Sequence, residues 1–479
     1  MNLSIVRSLS LLGILLFAGC AARRYRAAPI VPAETASRFQ SRNLSDADLQ
    51  AFLAKNLSQT MTASPPKTWD LRMLWLAAQY FNPALEAARA RVAEAEAAVV
   101  TAGARPNPTL GIAPGVPSPY LLTLDFAVPI ETAGKRGYRA RSARGLAQAA
   151  EFDLADTAWK LRSGVRAALV DYLLASRNLD LLHSDEQIRS EQISLLEQRF
   201  AVGEIPRPDL GLARIQLSQT HLAISAAEGQ VGQAKAALAA AVGISATALQ
   251  DVELSWTSLE SPPSVQSISP QQLQGDAVLN RLDVRRSLAQ YGAAEADLQL
   301  EIAKQYPDLV IGPGYTYEEK NNFFTIGIST TLPVFNRNQG PIAEAEARRK
   351  GAATAFLEKQ AQVIAQSEQA LALYTAALKE FTEADASLRN LQDEQEQMMR
   401  RAVSVGEEDR LALNGVRIES SVVARARLDA LHRALSALGS LEDSVQRPLD
   451  PGDLAPMPSN PPSPPNFSSP NPPVKEPRR

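Results

Sequence analysis

The chain carries the same order of elements twice, about two hundred residues apart, and this duplication constrains its fold more than any single motif. Phe126–Arg136 (FAVPIETAGKR) returns as Thr330–Gly340 (TTLPVFNRNQG), which sets Pro129 over Pro333 (333 − 129 = 204). Arg199–Glu204 (RFAVGE) returns as Arg401–Glu407 (RAVSVGE), setting Gly203 over Gly406 (406 − 203 = 203), and Ala213–Ile215 returns as Val416–Ile418 at the same offset. An offset that holds across three unlike landmarks marks a duplicated unit, and its length is far beyond that of a solenoid repeat. One chain therefore contains two pseudo-equivalent halves, expected at 69–250 and 276–445.

Within the first half, Leu71 to about Thr101 is alanine-rich with apolar residues at three-to-four spacing, which predicts a helix ending at Gly103 and Arg105–Pro108. The period then changes to two. In Tyr120–Pro129, Leu122, Leu124, Phe126 and Val128 fall on one face and Thr123, Asp125 and Ala127 on the other, the pattern of a strand. Thr109–Val116 is its expected partner, giving a hairpin over about 109–130. From Gly137 the helical period resumes through Leu154, Leu161, Val165, Leu169, Leu182 and Leu196, with no proline before Pro206. Some 65 helical residues extend about 100 Å at 1.5 Å per residue, which is coiled-coil rather than globular length. Gly203, Pro206 and Pro208 predict a reversal, and a helix returns from Asp209 to about Val242.

The second half repeats each step. A helix is expected over Asp276–Lys304, strands over Leu309–Tyr317 and Phe323–Pro333 with a turn at Glu318–Asn322, and a hairpin spanning about 308–333. A second long helix is expected from Pro341 to about Val403, reversing at Gly406 and returning to Val445. Residues 251–275, rich in Ser, Pro and Gln, read as a connector; 446–479 carries repeated proline pairs and reads as a disordered tail.

Four strands of about ten residues cannot close a barrel, and their edges would be left bare. Ten alternating residues is also the length that crosses a bilayer at a tilt, apolar side chains toward lipid and Thr, Ser and Asp toward water. A soluble sandwich layer is the alternative, but two small hairpins offer little opposing surface for a core. Closure by self-association resolves the edges, so the pattern itself argues for an oligomer.

With 49 Lys+Arg against 52 Asp+Glu the chain lacks the basic footprint of a nucleic-acid binder. Abundant alanine and only 6% aromatics suit long, closely packed helices. At the N-terminus, Arg7 precedes the apolar run Leu9–Phe17, too short to span a bilayer, followed by Ala18, Gly19 and Cys20. Residues 1–19 read as a signal peptide and 20–68 as an N-terminal extension. Cys20 is the only cysteine, so the mature chain has no disulfide and no thiolate metal cluster. The three histidines, His183, His221 and His432, show no ligand-like spacing, and six methionines make no ladder for soft metals. No nucleophile–base–acid constellation or phosphate loop stands out; no enzyme, cofactor or resident metal is expected.

The duplicated order of helix, β-hairpin, very long helix, reversal and returning helix resembles the TolC family of outer-membrane efflux factors. Pro129–Arg136 (PIETAGKR) is similar to the Pro-Ile-Glu…Gly-Lys-Arg run of its heavy-metal (CzcC-like) branch, and Leu332–Gly340 (LPVFNRNQG) matches the run in the second half. The small residues before Cys20 resemble a lipobox, and Ala21 in place of aspartate is similar to lipoproteins sorted to the outer membrane. The resemblance, over roughly Trp69–Val445, implies a mainly α fold with a membrane β-barrel. It implies a homotrimer with a twelve-stranded barrel in outer-membrane lipid and an α-helical tube in the periplasm. It further implies lipidation at Cys20, and a periplasmic adaptor and an inner-membrane RND transporter as partners.

On that resemblance the two reversals are the periplasmic tips, which would dock the adaptor and close the aperture. Gly203, Asp209, Gly406, Asp409 and Arg410 are the candidate residues there. Related channels often carry an aspartate where Asp209 stands, but the same step from Gly406 reaches Ala412, so a paired acidic gate is not matched. Glu131, Lys135 and Arg136, between strand and long helix, are candidates for the barrel–tube junction; solvated surface charges are the plainer reading. Three functions stay open: a passive duct for heavy-metal cations, the same fold serving organic-drug efflux or type I secretion, and a pore-less lipid-anchored coiled-coil scaffold.

Overall fold

The computed structural model describes residues 25–57, 66–115, 121–265 and 269–449. The expected signal peptide, Cys20 and the expected tail from 450 onward lie outside the described residues; the tail's first residues are not free of the fold, since Gln446 accepts from the Leu282 amide and donates to Asp156. The chain divides into two units, 1–42 and 43–479. The first contains one described helix, α1 (Pro32–Gln40), entered through a proline and exposed along its length. Everything below concerns the second unit.

The second unit opens with α2 (Ala47–Leu57), whose first turn is capped by the Asp46 carboxylate accepting from the Asp48 and Leu49 amides. A short strand, β1 (Thr68–Trp69), pairs in parallel with β4 (Glu253–Leu254). Between them run α3 (Leu71–Phe81), α4 (Pro83–Gly103), β2 (Thr109–Gly115), β3 (Leu121–Ile130), α5 (Lys135–Ala201) and α6 (Arg207–Val242). The second half follows as α7 (Pro270–Asn280), α8 (Leu282–Ala303), β5 (Leu309–Glu318), β6 (Asn321–Thr330), α9 (Gln339–Thr382), α10 (Arg389–Val405) and α11 (Arg410–Val445).

The single helix expected over 71–101 is two. Asn82 adopts an extended conformation before Pro83, which has no N–H to donate, and its side chain then caps α4 by accepting from the Ala84 amide at 2.9 Å. The helix expected over 276–304 breaks likewise at Arg281, which is extended between α7 and α8. A larger difference lies in the second long helix. α5 runs for 67 residues without interruption, about 100 Å, whereas α9 passes through a π-helical stretch at Glu383–Leu388 before continuing as α10.

Two apolar clusters hold the helices together, and α5 supplies both. Val165 and Leu169 pack with α2, α3 and the end of α6 (Leu49, Leu74, Leu238, Val242). Val170 and Leu174 pack with α9 and α11 (Val363, Tyr374, Leu431, Leu438). Each such leucine fully buried contributes roughly 1.5–3 kcal/mol. Elsewhere small residues set the spacing: a Cβ added at Gly145 of α5 would stand 3.1 Å from the Ala289 carbonyl oxygen and the Ala293 Cβ of α8.

β2, β3, β5 and β6 form one antiparallel sheet in that order, so the two hairpins, far apart in sequence, are joined through β3 and β5. The β5–β6 turn is shorter than the expected Glu318–Asn322: Glu318 pairs with Asn321, and only Glu319 and Lys320 turn the chain, both at positive φ (45° and 77°). Two positive φ values match the right-handed twist of the flanking strands. No Asn-Gly or Asp-Gly marks these two positions, so the residue types placed the turn only to within five residues. β6 also ends at Thr330, three residues before Pro333, and the Thr330 hydroxyl donates to the Asp308 carbonyl.

Candidate functional site

The sheet register sorts the side chains of all four strands onto two unlike faces. Leu110, Ile112 and Pro114 of β2 stand opposite Phe126, Leu124 and Leu122 of β3. Leu124 and Val128 stand opposite Tyr315 and Ile311 of β5, which in turn oppose Phe324 and Ile328 of β6. Directly opposed residues share a face, so one side of the sheet is apolar from edge to edge. It is uncovered among the described residues: Ile112 is 63% exposed, Phe324 83% and Ile326 81%. The other face carries Gly111, Thr123, Asp125, Gly314, Thr316, Thr325 and Ser329, together with the larger Leu121, Val310 and Phe323. The outer edges, β2 and β6, have no strand partner among the described residues. No described helix is long and apolar enough to cross a membrane.

Where the sheet meets the helices, two of the three expected junction residues are structural and one is not. Lys135, at the start of α5, is buried, and its Nζ donates to Asp308 Oδ1 at 2.6 Å. The same oxygen accepts from the Thr132 amide at 2.9 Å, and the Thr132 hydroxyl donates to the Pro307 carbonyl at 2.7 Å. Partial desolvation opposes ionisation of Asp308, but the Lys135 and Thr132 hydrogen bonds prevail and hold its carboxyl below the usual range. Glu131 accepts from Arg139, whose guanidinium also donates to the Ala102 and Ala104 carbonyls and so ties α5 to the end of α4. Arg136 is exposed and joins no ion pair among the described residues. Sequence reading missed Asp308, Thr132 and Arg139; the one local signal is Pro307, which follows the end of the helix expected to reach Lys304.

At the opposite end of the long helices the two reversals are built alike. Gly203 and Gly406 both take left-handed backbone, φ +78° and +80°. The amides of Glu204 and Glu407 reach back to the Arg199 and Ala402 carbonyls, the bonds that close a helix C-terminus around glycine. The entries to the returning helices differ. Asp409 caps α11, its Oδ1 accepting from the Ala412 amide at 2.7 Å, whereas the matching position before α6 is Pro206, with no side-chain cap. Asp209 sits exposed in the first turn of α6 rather than at its cap.

The reversals also touch each other. Arg199 of α5 donates to the Asp409 carboxylate, and Leu411 packs against Leu196, Leu210 and Ala213. Arg410 approaches Glu191 at 3.7 Å, as does Arg417, which continues the contact to Glu396 at 3.6 Å. The hydrogen bond from the Ala412 amide, which outweighs an opposing desolvation, and then the Arg199 pair hold the Asp409 carboxyl below the usual range. Higher in the bundle, the buried Asp185 accepts from Arg189, from Thr220 of α6 and from Ser421 of α11, joining three helices.

The π-helical stretch is clamped by charge. Asp385 within it accepts from Arg427 of α11 and Arg389; Arg427 reaches Glu260 of the connector, and Glu260 accepts from Arg177 of α5. Hydrogen bonds from these arginines keep both carboxyls, Asp385 and Glu260, below their usual range. His183 and His221, expected to be unrelated, both face Glu186, at 3.3 and 3.0 Å. Among the described residues no three His, Cys, Asp or Glu side chains are arranged to hold a metal ion.

Residues 77–244 match the family model of outer membrane efflux proteins. The chain is 27% identical over 287 residues to the cobalt-zinc-cadmium resistance protein CzcC of Cupriavidus metallidurans, covering 59% of this chain and 67% of that one. It is 24% identical over 284 residues to the pyoverdine export outer membrane protein OpmQ of Pseudomonas aeruginosa, covering 53% and 59%. Its fold is similar to that of the outer membrane protein VceC of Vibrio cholerae, with a TM-score of 0.64 at 20% identity over 79% of this chain and 97% of that one.

Proposed function

We propose that this chain, a member of the outer membrane efflux protein family, is the outer-membrane duct of a tripartite efflux system. The observation that carries this reading is the sheet: apolar on one uncovered face, mostly small or polar on the other, bare at both edges, and rooted on helices of about 100 Å. Edge pairing of β6 with the β2 of a second copy removes the bare edges. Three copies of a four-stranded sheet close twelve strands with the apolar face toward lipid. The helices then extend from that barrel into the periplasm. The protein acts as a conduit and catalyses no reaction; energy comes from an inner-membrane RND transporter through an adaptor.

In this reading Gly203, Asp209, Gly406, Asp409 and Arg410 lie at the periplasmic tips, where they dock the adaptor and hold the aperture closed. Glu131 and Lys135 fix the sheet to the helices, and Cys20 carries the lipid anchor. Likeness to a cobalt-zinc-cadmium resistance protein favours divalent metal cations as cargo. Likeness to a pyoverdine export protein supports a second reading, an organic siderophore. Deleting the gene and measuring tolerance to cobalt, zinc and cadmium against export of organic chelators separates the two. Purified protein that forms no trimer and no conductance in planar bilayers would sink both.

A further inference from the structure

Just below the sheet, a groove of 790 Å³ runs between α5 and α8. Gly145, Ala289 and Gly292 keep its floor low, and a Cβ added at Gly292 would meet nothing within 4 Å. Three exposed arginines, Arg141, Arg144 and Arg285, stand around it. None of them joins an ion pair among the described residues. Arg141 donates to Gln299 Oε1 at 2.9 Å and lies over the Tyr138 ring, and Arg285 lies over the Phe152 ring. Among the described residues Glu295 is the one carboxylate lining the groove, and it is also unpaired, which leaves an excess of two positive charges (3 − 1 = 2).

The groove opens on the same side of the wall as the apolar face of the sheet. With that face toward the viewer and Ile130 lowermost, the Phe126 carbonyl, which reaches toward Gly312 of β5, puts β5 to the left of β3 for a chain of L-residues. α8 leads into β5 and so lies to the left of α5, which follows β3. A right-handed helix descending from Lys135 with Gly145 against α8 turns Arg141, Arg144 and Gln148 toward the viewer. Ascending α8, with Ala289 and Ala293 against α5, turns Leu288, Gly292 and Glu295 the same way.

Arg141 and Arg144 lie six and nine residues beyond Lys135, about 9 and 14 Å down the helix. The headgroup layer extends about 5–8 Å beyond the hydrocarbon on each side of a bilayer, and an arginine side chain reaches several ångströms along a surface to place its guanidinium there. We infer that Arg141 and Arg144 hold the phosphate of an anionic phospholipid from the periplasmic leaflet of the outer membrane. The guanidinium fork matches phosphate oxygens, and basic recesses at a membrane surface take anionic headgroups. This inference rests on the duct reading, which turns the apolar face of the sheet to lipid. Arg285, 18 residues before the end of α8 and so about 27 Å below it, is too deep to touch that phosphate and adds only to the field.

The test is native mass spectrometry of the mature trimer released from nanodiscs of equal parts phosphatidylglycerol and phosphatidylethanolamine. Wild-type protein is expected to retain phosphatidylglycerol preferentially, with the preference lowered at least about tenfold in the double variant Arg141→Gln/Arg144→Gln. Glu295→Gln removes the one repelling carboxylate and should raise the preference, a gain that misfolding does not produce. If the double variant does not assemble, Glu295→Gln and Arg144→Gln decide the matter, with opposite signs expected. Equal retention of the two lipids, or the same preference in wild type and every variant, overturns the lipid site and leaves a conducting duct intact. Inorganic phosphate that displaces phosphatidylglycerol at equal concentration shows a free-phosphate site and overturns the lipid as its occupant. Wild-type trimers that show no conductance overturn the duct reading and, with it, the membrane-facing orientation on which this site depends.

Discussion

Arg199, near the end of α5, donates to the carboxylate of Asp409, the residue that caps α11, so one ion pair ties the first reversal to the second. The two residues lie 210 positions apart. The duplication supplies each reversal with the same glycine, yet only the second has an aspartate at the cap. The halves are thus alike in how they turn and unlike in how they are fastened.

Removing that fastening has two separable effects. Asp409→Ala loses both the helix cap and the pair, and is expected to lower stability by about 1 kcal/mol, as cap replacements do. Arg199→Ala loses the pair alone and should leave thermal unfolding within ~0.5 kcal/mol of wild type, the range of exposed ion pairs. Both should raise the open probability of single channels, because both free the tips. Equal, wild-type closed times would show that the pair does not hold the aperture.

Gly203→Val and Gly406→Val test the reversals. No heavy atom outside the local chain would meet a Cβ within 4 Å at either position, so the penalty is conformational. Left-handed backbone costs a non-glycine residue roughly 1–2 kcal/mol. Asparagine, which tolerates that conformation, should rescue in part. We expect the valine variants to form trimers in the outer membrane with impaired efflux; normal efflux would remove the tips from the mechanism.

The junction predicts a dependence on acid. The folded-state pKa of Asp308 is depressed, so its contribution to stability is present above the ordinary carboxylate value of 3.8 and is lost as pH falls through the lower folded value. Thermal unfolding measured from pH 6 down to about pH 2 should therefore show a steeper fall in wild type than in Asp308→Asn, which cannot titrate. Parallel curves would mean that Lys135 and Thr132 do not stabilise the ionised form.

Loosening the π-helical stretch should be visible in hydrogen exchange. Arg427→Ala removes the link from Asp385 to Glu260 and the stacking of its guanidinium over Phe381. Amides of residues 383–388 are expected to exchange faster in this variant. Arg433→Ala, which breaks an exposed pair with Glu380 nearby, should leave them unchanged. If both variants behave alike, the clamp is not what holds the π turn.

Residue order alone was enough for features with short-range causes. Period-two alternation located the strands, the absence of proline announced the long α5, and single glycines located both reversals, because each acts through its own backbone or near neighbours. The three-to-four spacing was less informative at breaks: Asn82 and Arg281 interrupt helices that read as continuous, and the π turn in residues 383–388 left no compositional trace. Tertiary structure decided what no local pattern contains. Lys135 became an anchor and Arg136 a solvated cation only because Asp308, 173 residues away, lies beside one of these two neighbours. Glu186 gathers two histidines from adjacent helices for the same reason. The alternation of a strand settles which side chains share a face; which charge meets which, and which stays solvated like Arg136, depends on partners that only folding brings within a few ångströms.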